Sequence, residues 1–187
     1  MNEDFMTADS SNAYGAKPAA AEATNDVRLR TARKRLLESS GQEDAIEAVR
    51  EIVANFLGCE EMGLFQLDRR SKTFEVFWSF GIDLEEYDLL RTLGDAGLQR
   101  LMRGECHVEF GVRDQAGVMA KAQAFIPIRV GDQTIAVLAI LRLLPQKTEF
   151  ERSDMEIFKL LSREAAKHLF GTNAHAATGA EGSGMRV

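Results

Sequence analysis

Cysteine and histidine are the residues of this sequence that could carry nucleophilic, redox or metal chemistry, and both are scarce. The chain has two cysteines, Cys59 and Cys106, and three histidines, His107, His168 and His175. Two separated thiols cannot form a metal site alone or a multi-bridge disulfide framework, and no C-x-x-C or H-E-x-x-H spacing occurs. The sequence therefore predicts neither a metal nor a cofactor.

Other catalytic patterns are missing as well. The sequence contains no Ser-His-Asp order, no Walker A loop and no paired-carboxylate motif. Asp83, Glu85 and Glu86 cluster at a predicted helix start, where the helix dipole favours carboxylates without any catalytic role. No catalytic residue is predicted, and the residues must be interpreted through the elements that position them.

The composition is that of a globular domain. Of the 187 residues, 45% are hydrophobic and 28% are charged, which is enough apolar material for a core. Acidic residues outnumber basic ones by 29 to 23, so a nucleic-acid partner held by bulk charge is disfavoured. No secretory signal pattern occurs, and the longest apolar run is too short to span a bilayer. We therefore expect a cytoplasmic, soluble protein without membrane contact.

Four segments divide the chain. Residues 1–25 and 172–187 are rich in small and polar residues without an apolar period, which predicts flexible tails. Residues 26–41 form a basic helix that Asp26 would cap, and residues 42–171 form the folded domain. The basic helix carries five basic residues between positions 28 and 35. Two interpretations of these charges stand side by side: a solvated helix face, or contact with an acidic or nucleic-acid partner.

The hydrophobic period changes along the folded domain. It predicts an amphipathic helix, two strands, a helical stretch broken at Gly94 and Gly97, three further strands, and a last helix that begins with the capping box S-x-x-E at Ser153. Pro127 lies inside one strand and predicts a sheet edge or a bulge. The second strand carries aromatic residues on both faces, so the sheet is expected to be covered on both. This order predicts an α+β fold with an antiparallel sheet.

Residues 42–170 resemble a GAF domain, the sensory relative of the PAS fold. The resemblance rests on short sequence segments that occur in the family's order: L-G-C-E-E followed by M-G-L-F-Q-L-D, S-F-G, G-D-A-G-L-Q-R-L-M-R-G-E, A-F-I-P-I-R-V-G-D-Q-T-I-A-V-L-A-I-L, and F-E-R-S-D-M-E-I-F-K-L-L. It implies a GAF/PAS-like antiparallel sheet sandwiched between framing helices and a helical or loop cover. GAF domains bind many ligands or none, so the fold does not settle the function.

The resemblance also implies a ligand pocket between the first two strands and the helical cover. Three positions correspond to ligand-facing positions of the family, strand alternation adds two more, and the connector at 112–120 would form a lid. Their lining is apolar, so a small apolar or aromatic ligand is the candidate, and a filled core is the alternative. The candidate ligand-binding residues are Gly63, Phe65, Trp78, Phe80, Leu98 and Val118.

Other members of the family bind cyclic nucleotides, attach a bilin or catalyse thiol redox chemistry. The N-K-x-x-x-F-x-x-x-D-E pattern of cyclic-nucleotide-binding members is absent. Cys106-His107 is similar to a bilin-attachment pair, but it falls in a predicted strand, where a partly buried thiol is the preferred interpretation. A small GAF-fold redox enzyme, similar to free methionine sulfoxide reductases, is the alternative function. The G-V-C-G word of those enzymes is absent, and they need a low-pKa thiolate with a resolving partner.

A non-catalytic regulatory module is the function that the resemblance implies. No kinase, cyclase, phosphodiesterase or helix-turn-helix pattern is present, so the signal would pass to an unknown signalling partner protein, as in bacterial-type sensors. The last helix is apolar around more than one face, so one stripe could pack on the sheet and another on a second copy. We therefore expect a homodimer through the first and last helices.

Overall fold

The computed structural model consists of one antiparallel sheet with helices on both faces, and it describes residues 17–68, 71, 73–84, 89–110 and 122–171. The elements in chain order are α1 (Lys17–Leu37), α2 (Gln42–Leu57), β1 (Cys59–Asp68), β2 (Thr73–Phe80), α3 (Leu89–Met102), β3 (His107–Phe110), β4 (Ala122–Val130), β5 (Gln133–Leu143) and α4 (Arg152–Leu169). The strand order is β2-β1-β5-β4-β3, and every neighbouring pair is antiparallel. The predicted α+β class is confirmed.

One face of the sheet packs against a layer made of α1, α2 and α4. The apolar stripe of α2 that the sequence predicted is buried, and α4 contributes Ile157, Phe158 and Leu161, all fully buried. They meet alternate residues of the central strands, among them Leu138 and Ile140 of β5. This large cluster is the main core of the domain, because burial of such side chains is the dominant stabilising term in folding.

The opposite face packs against α3 and the segment that precedes it. The strands contribute Phe65, Phe125 and Val137, and the cover contributes several leucines. The predicted break at Gly94 is confirmed, since this residue has φ 59° inside α3, whereas Gly97 is helical. Both faces of the sheet are therefore covered, as the aromatic residues of β2 predicted.

Pro127 lies in an interior strand, although the sequence predicted an edge or a bulge. It pairs with Val137 of β5 on one side, and β4 is bulged between Ile128 and Arg129. On the other side, β3 pairs only with residues 122–125 of β4. The missing N–H of Pro127 therefore falls beyond the end of β3, where no ladder hydrogen bond is lost.

Two predicted helix starts are wrong. The first helix begins at Lys17 rather than at Asp26, so residues 17–25 are helical and not part of a tail. Pro18 suits a first helical turn, and the alanines that follow have the highest helix propensity. The last helix is capped by Glu151 instead of Ser153, because Glu151 and Asp154 form the reciprocal capping box.

The second apolar stripe of α4 is covered inside the chain. Helix α4 packs on β4 with one side and contacts both α1 and α2 with another. Helix α1 runs antiparallel to α2, because Arg28 contacts Phe56 while Arg35 contacts Asp44. It runs parallel to α4, because Arg28 contacts Asp154 while Arg33 contacts Glu164. The feature that motivated a dimer through the first and last helices is thus already accounted for by intramolecular packing.

Candidate functional site

Gly63 and Phe65, two of the predicted ligand-binding residues, lie on the sheet face that α3 covers. Phe65 is buried in the cluster of that face. A Cβ atom placed on Gly63 would lie 3.1 Å from Cε2 of Phe65 and in steric overlap with Cδ1 of Leu84. The predicted shared face of these two residues is confirmed, but Leu84 and Phe65 already fill the space beside Gly63.

Trp78 and Phe80 lie on the other face, so their predicted grouping with Gly63 is wrong. In the β1–β2 ladder Phe80 pairs with Met62 and Trp78 pairs with Leu64, while Gly63 pairs with Ser79. Residues that pair across an antiparallel ladder share a face. Both aromatic rings therefore lie on the face that α1, α2 and α4 cover, which we call the helical side.

On the helical side, the two rings form part of a half-buried aromatic surface. The Trp78 and Phe80 rings stack with centroids 6.4 Å apart. The guanidinium of Arg50 on α2 lies 5.0 Å from the centroid of Phe80. These contacts account for both side chains by packing, with no ligand required.

The remaining two predicted residues do not complete a pocket around Gly63. Leu98 is half-buried on α3 and does not belong to the cluster under that helix. Val118 lies outside the described residues. The predicted pocket is therefore reduced to Gly63 and Phe65, in a part of the face that is packed.

A polar group occupies the other end of the same face, and we call His107, Glu109 and Gln123 the polar corner. In the β3–β4 ladder His107 pairs with Phe125 and Glu109 pairs with Gln123. Since Phe125 is buried under α3, strand alternation places all three polar side chains on the α3 face. Its position next to the cover makes the polar corner the best candidate for ligand recognition.

The His107 ring is held on three sides. Its Nε2 lies 2.9 Å from Oε1 of Glu109, and its ring stacks on Phe125 with centroids 6.2 Å apart. Helix α3 approaches the ring closely at Gly97, where an added Cβ would lie 3.3 Å from Nε2 of His107. The imidazole is therefore fixed in position before any ligand arrives, as recognition of a small molecule requires.

Two atoms of the polar corner are buried without a hydrogen-bond partner among the described residues: Nδ1 of His107 and Oε1 of Gln123. When the neutral imidazole donates its Nε2–H to Glu109, Nδ1 is an acceptor. The Gln123 amide can present its oxygen or, after rotation, its NH₂ group. The corner can thus accept a hydrogen bond from a bound N–H or O–H group, beside a wall of aromatic and aliphatic carbon.

Part of the polar corner could have been predicted from the sequence. Cys106, Val108 and Phe110 alternate with His107 and Glu109 in a predicted strand, which places the two polar residues on one face. Gln123 could not be added from sequence, because its position depends on the pairing of β3 with β4.

The two thiols belong to the helical side of the sheet and are poor nucleophiles. Burial raises the pKa of Cys59 to about 12 and that of Cys106 to about 11. Cys106 packs against the main core, on the opposite face of β3 from His107. The arrangement supports the partly buried thiol predicted for Cys106. The side chains of Cys106 and His107 lie on opposite faces of the sheet, so they do not converge on one ligand.

We expect both thiols to react with a disulfide reagent such as DTNB at pH 7 at least about 100-fold more slowly than free cysteine, and Cys59 more slowly than Cys106, because the reactive thiolate is scarce at a raised pKa. Labelling in 6 M guanidinium should recover both thiols and provides the control. Rapid labelling of either thiol in the folded protein would contradict this expectation and favour the redox alternative.

The basic residues of α1 are engaged within the chain. Arg28, Arg33 and Arg35 form ion pairs with carboxylates of α2 and α4. Arg30 pairs with Asp26 of α1 and Lys34 pairs with Glu38 just beyond the end of α1, each at i,i+4 spacing. Every basic residue between positions 28 and 35 thus has an acidic partner, so this described segment presents no unpaired basic face.

Several solved structures superpose on this architecture. The GAF domain of a phosphoenolpyruvate-protein phosphotransferase from Coxiella burnetii superposes with a TM-score of 0.62 at 17% identity, covering 83% of this chain and 98% of that chain. The GAF domain of the Acinetobacter phosphoenolpyruvate-protein phosphotransferase gives a TM-score of 0.58 at 18% identity, covering 84% and 97%. Residues 122–287 of a methyl-accepting chemotaxis protein give a TM-score of 0.56 at 15% identity, covering 78% of this chain and 99% of that chain.

No family model and no curated protein matches the sequence. Among the described residues, no helix combines the length and the apolar character that a membrane crossing would need. The likeness to the solved structures extends over most of the chain and nearly all of each compared domain. The chain therefore folds as a GAF domain.

Proposed function

We propose that this protein is a non-catalytic regulatory GAF module, which binds a small ligand at the polar corner and acts through dimerisation and a partner protein. The observation that carries the proposal is the pair of buried, unpartnered atoms, Nδ1 of His107 and Oε1 of Gln123. Buried polar groups in folded proteins are nearly always hydrogen-bonded, so this pair calls for a partner.

The surroundings of the polar corner define the ligand class. Phe125 stacks on His107, and the neighbouring wall is apolar. A small, flat aromatic molecule that carries an N–H or O–H donor would satisfy His107 and pack on this wall. A phosphate-bearing ligand fits poorly, because the carboxylate of Glu109 lies in the corner.

Helix α3 is suited to respond to such a ligand. Its end near Leu101 is fixed to the sheet, because the Thr134 hydroxyl donates a 2.7 Å hydrogen bond to the Leu101 carbonyl. Its first turns precede the break at Gly94, where a Cβ would meet no heavy atom within 4 Å. The segment before Gly94 is joined to the rest of α3 through this break, and a response there would require Leu89 and Leu93, which are buried against the sheet, to repack.

Strand β4 connects the polar corner to the helical layer. Gln123 and Phe125 face the corner, while Ile126 and Ile128 are fully buried beneath the helices. Helix α4 makes its main sheet contact with β4. A change at the corner can thus reach α4 and α1, the helices through which we propose that dimerisation and partner binding occur.

A thiol-based reductase remains the alternative, and the raised pKa values of both cysteines argue against it. Both thiols are free rather than paired, which supports a reducing compartment such as the cytoplasm. The regulatory module needs neither thiol, so replacing both cysteines by serine should leave its activity in cells intact.

The ligand proposal predicts a specific loss at the polar corner. We expect fractionated cell metabolites to contain a small molecule that raises the melting temperature of the wild-type protein. His107→Ala and Gln123→Ala should each weaken this binding about 5- to 30-fold, since each removes a hydrogen-bonding group worth roughly 1–2 kcal/mol. Thermal shift and isothermal titration with the purified fraction provide the measurement.

Cys106→Ala is the matched control for these variants, because it changes the neighbouring residue of β3 on the opposite face. It should bind the same fraction as tightly as the wild type. Equal binding by His107→Ala and the wild type would place the ligand elsewhere. The absence of any stabilising fraction would leave a protein-interaction module without a sensor role.

A further inference from the structure

Helix α1 is attached to the rest of the domain mainly by charge. Arg28 donates to Oδ1 of Asp154 at 3.0 Å, and Arg33 donates to Oε1 of Glu164 at 2.7 Å. Arg35 binds two carboxylates of α2, with distances of 2.6 Å to Glu51 and 3.0 Å to Asp44. The four acidic residues lie on α2 and α4, and we call them, with the apolar strip between them, the docking surface.

The apolar part of this attachment is small. Among the α1 residues whose side chains the structure describes, 24–37, only Ala32 and Leu36 are fully buried, and Leu29 is partly buried against the core. The stabilisation from this strip is limited, because hydrophobic stabilisation grows with buried apolar area and one of the two buried residues is alanine. Ion pairs with partly exposed members, such as Arg33–Glu164, are weakened by salt.

The connection between α1 and α2 is short and exposed. It consists of residues 38–41, of which Ser40 and Gly41 are exposed. A Cβ on Gly41 would meet no heavy atom within 4 Å, and the connection borders an open cleft of about 430 Å³. Two of its hydrogen bonds are local, from the Ser39 hydroxyl to the Leu36 carbonyl and from the Ser40 N–H to Asp44. Only the contact of Ser39 Oγ with Nδ1 of His168, at 3.2 Å, joins the described part of the connection to α4.

We propose that α1 is exchangeable, and that the docking surface of one copy binds α1 of a second copy in a reciprocal dimer. A second copy is the occupant because its α1 carries the same three arginines and the same apolar strip. Exchange between two copies remakes every contact of α1 and changes only the connection at 38–41. The result is a closed two-fold dimer, a low-cost route to association. This proposal rests on the dimerisation proposed above and gives it a structural route.

Complementary charge reversal tests the exchange. One variant carries Arg33→Glu and Arg35→Glu on α1, and the other carries Glu51→Arg and Glu164→Arg on the docking surface. In each variant alone, α1 and its own docking surface repel, so α1 amides should exchange hydrogen rapidly. In a mixture, each α1 matches only the docking surface of the other variant. We expect a 1:1 heterodimer by native mass spectrometry. The amides of α1 should exchange hydrogen at least tenfold more slowly in this heterodimer than in either variant alone.

Two controls accompany this mixture. Arg30→Glu with Lys34→Glu makes the same charge change on α1, but the partners of these residues, Asp26 and Glu38, do not belong to the docking surface, so this variant should form no heterodimer with the docking-surface variant. A chain that carries all four reversals restores every charge match, so it should protect α1 as strongly as the wild type and have the same oligomeric state, which shows that the reversed pairs can form.

The proposal is overturned if the two folded variants stay separate on mixing while the four-reversal chain protects α1. A wild-type dimer seen by light scattering in that case would leave the proposed dimerisation standing without exchange. A wild-type monomer at millimolar concentration, together with no heterodimer, would remove both.

Discussion

Asp154→Asn is expected to destabilise the domain by about 2–4 kcal/mol, because it removes a buried carboxylate that neutralises two cations. Asp154 accepts hydrogen bonds from Arg28 at 3.0 Å and from Lys147 at 2.6 Å. Its side chain is 1% exposed, whereas those of Arg28 and Lys147 are 24% and 19% exposed. The partial exposure of the cations places the expected loss below that of a fully buried pair.

The position of Asp154 explains why one carboxylate matters this much. It also accepts the backbone N–H of Glu151 at 2.8 Å and so closes the capping box of α4. Through Arg28, which additionally donates to the Phe56 carbonyl, it joins α1, the end of α2 and the start of α4. Loss of the charge therefore acts on three helices, while the neutral amide of asparagine retains part of the capping role.

Urea denaturation followed by far-UV circular dichroism measures this effect. Glu156→Gln is the matched control on the same helix, since its ion pair with Lys159 is exposed and contributes little. The control should change the unfolding free energy by less than about 0.5 kcal/mol. An equally small change for Asp154→Asn would show that the cations are solvated rather than dependent on this carboxylate.

Local patterns predicted most elements of this fold. The stripe of α2, the aromatic and β-branched run of β2 and the apolar run of β5 are properties of short windows, and the structure has these elements at or within one residue of the expected bounds. The layering followed because β2 is apolar on both faces. What local patterns could not supply is which faces come together, since this depends on the register between strands.

The predicted pocket shows the consequence. Alternation correctly placed Gly63 with Phe65 and Trp78 with Phe80, but joining the two pairs on one face required the β1–β2 register. A shift of one residue in register moves every side chain to the opposite face. The ladder also contains a bulge between Leu64 and Phe65, which no composition rule predicts.

Long-range ion pairs were equally inaccessible from sequence. The five basic residues of α1 indicated a charged helix face, but Arg33 finds Glu164 at a separation of 131 positions. Such pairs follow from the packing of α1 between α2 and α4. The same holds for the polar corner, where the alternation in β3 was visible but Gln123 entered only through strand pairing.

Gly63→Leu is expected to cost about 1–3 kcal/mol of stability, because the added side chain would overpack a filled part of the α3 face. A Cβ alone would overlap Cδ1 of Leu84, and the Phe65 ring closes the other side at 3.1 Å. Leu84 is 2% exposed and Phe65 is 1% exposed, so neither can move aside into solvent. Thermal and urea unfolding of the variant measure the loss.

Gln66→Leu is the matched control, since it places the same side chain on the same strand at an exposed position. It should change stability by no more than about 0.5 kcal/mol. Trp78 fluorescence should be nearly unaffected in the folded Gly63→Leu variant, because the indole lies on the helical side of the sheet. A variant as stable as the wild type would show that Leu84 yields readily and that the face beside Gly63 can open to a ligand after all.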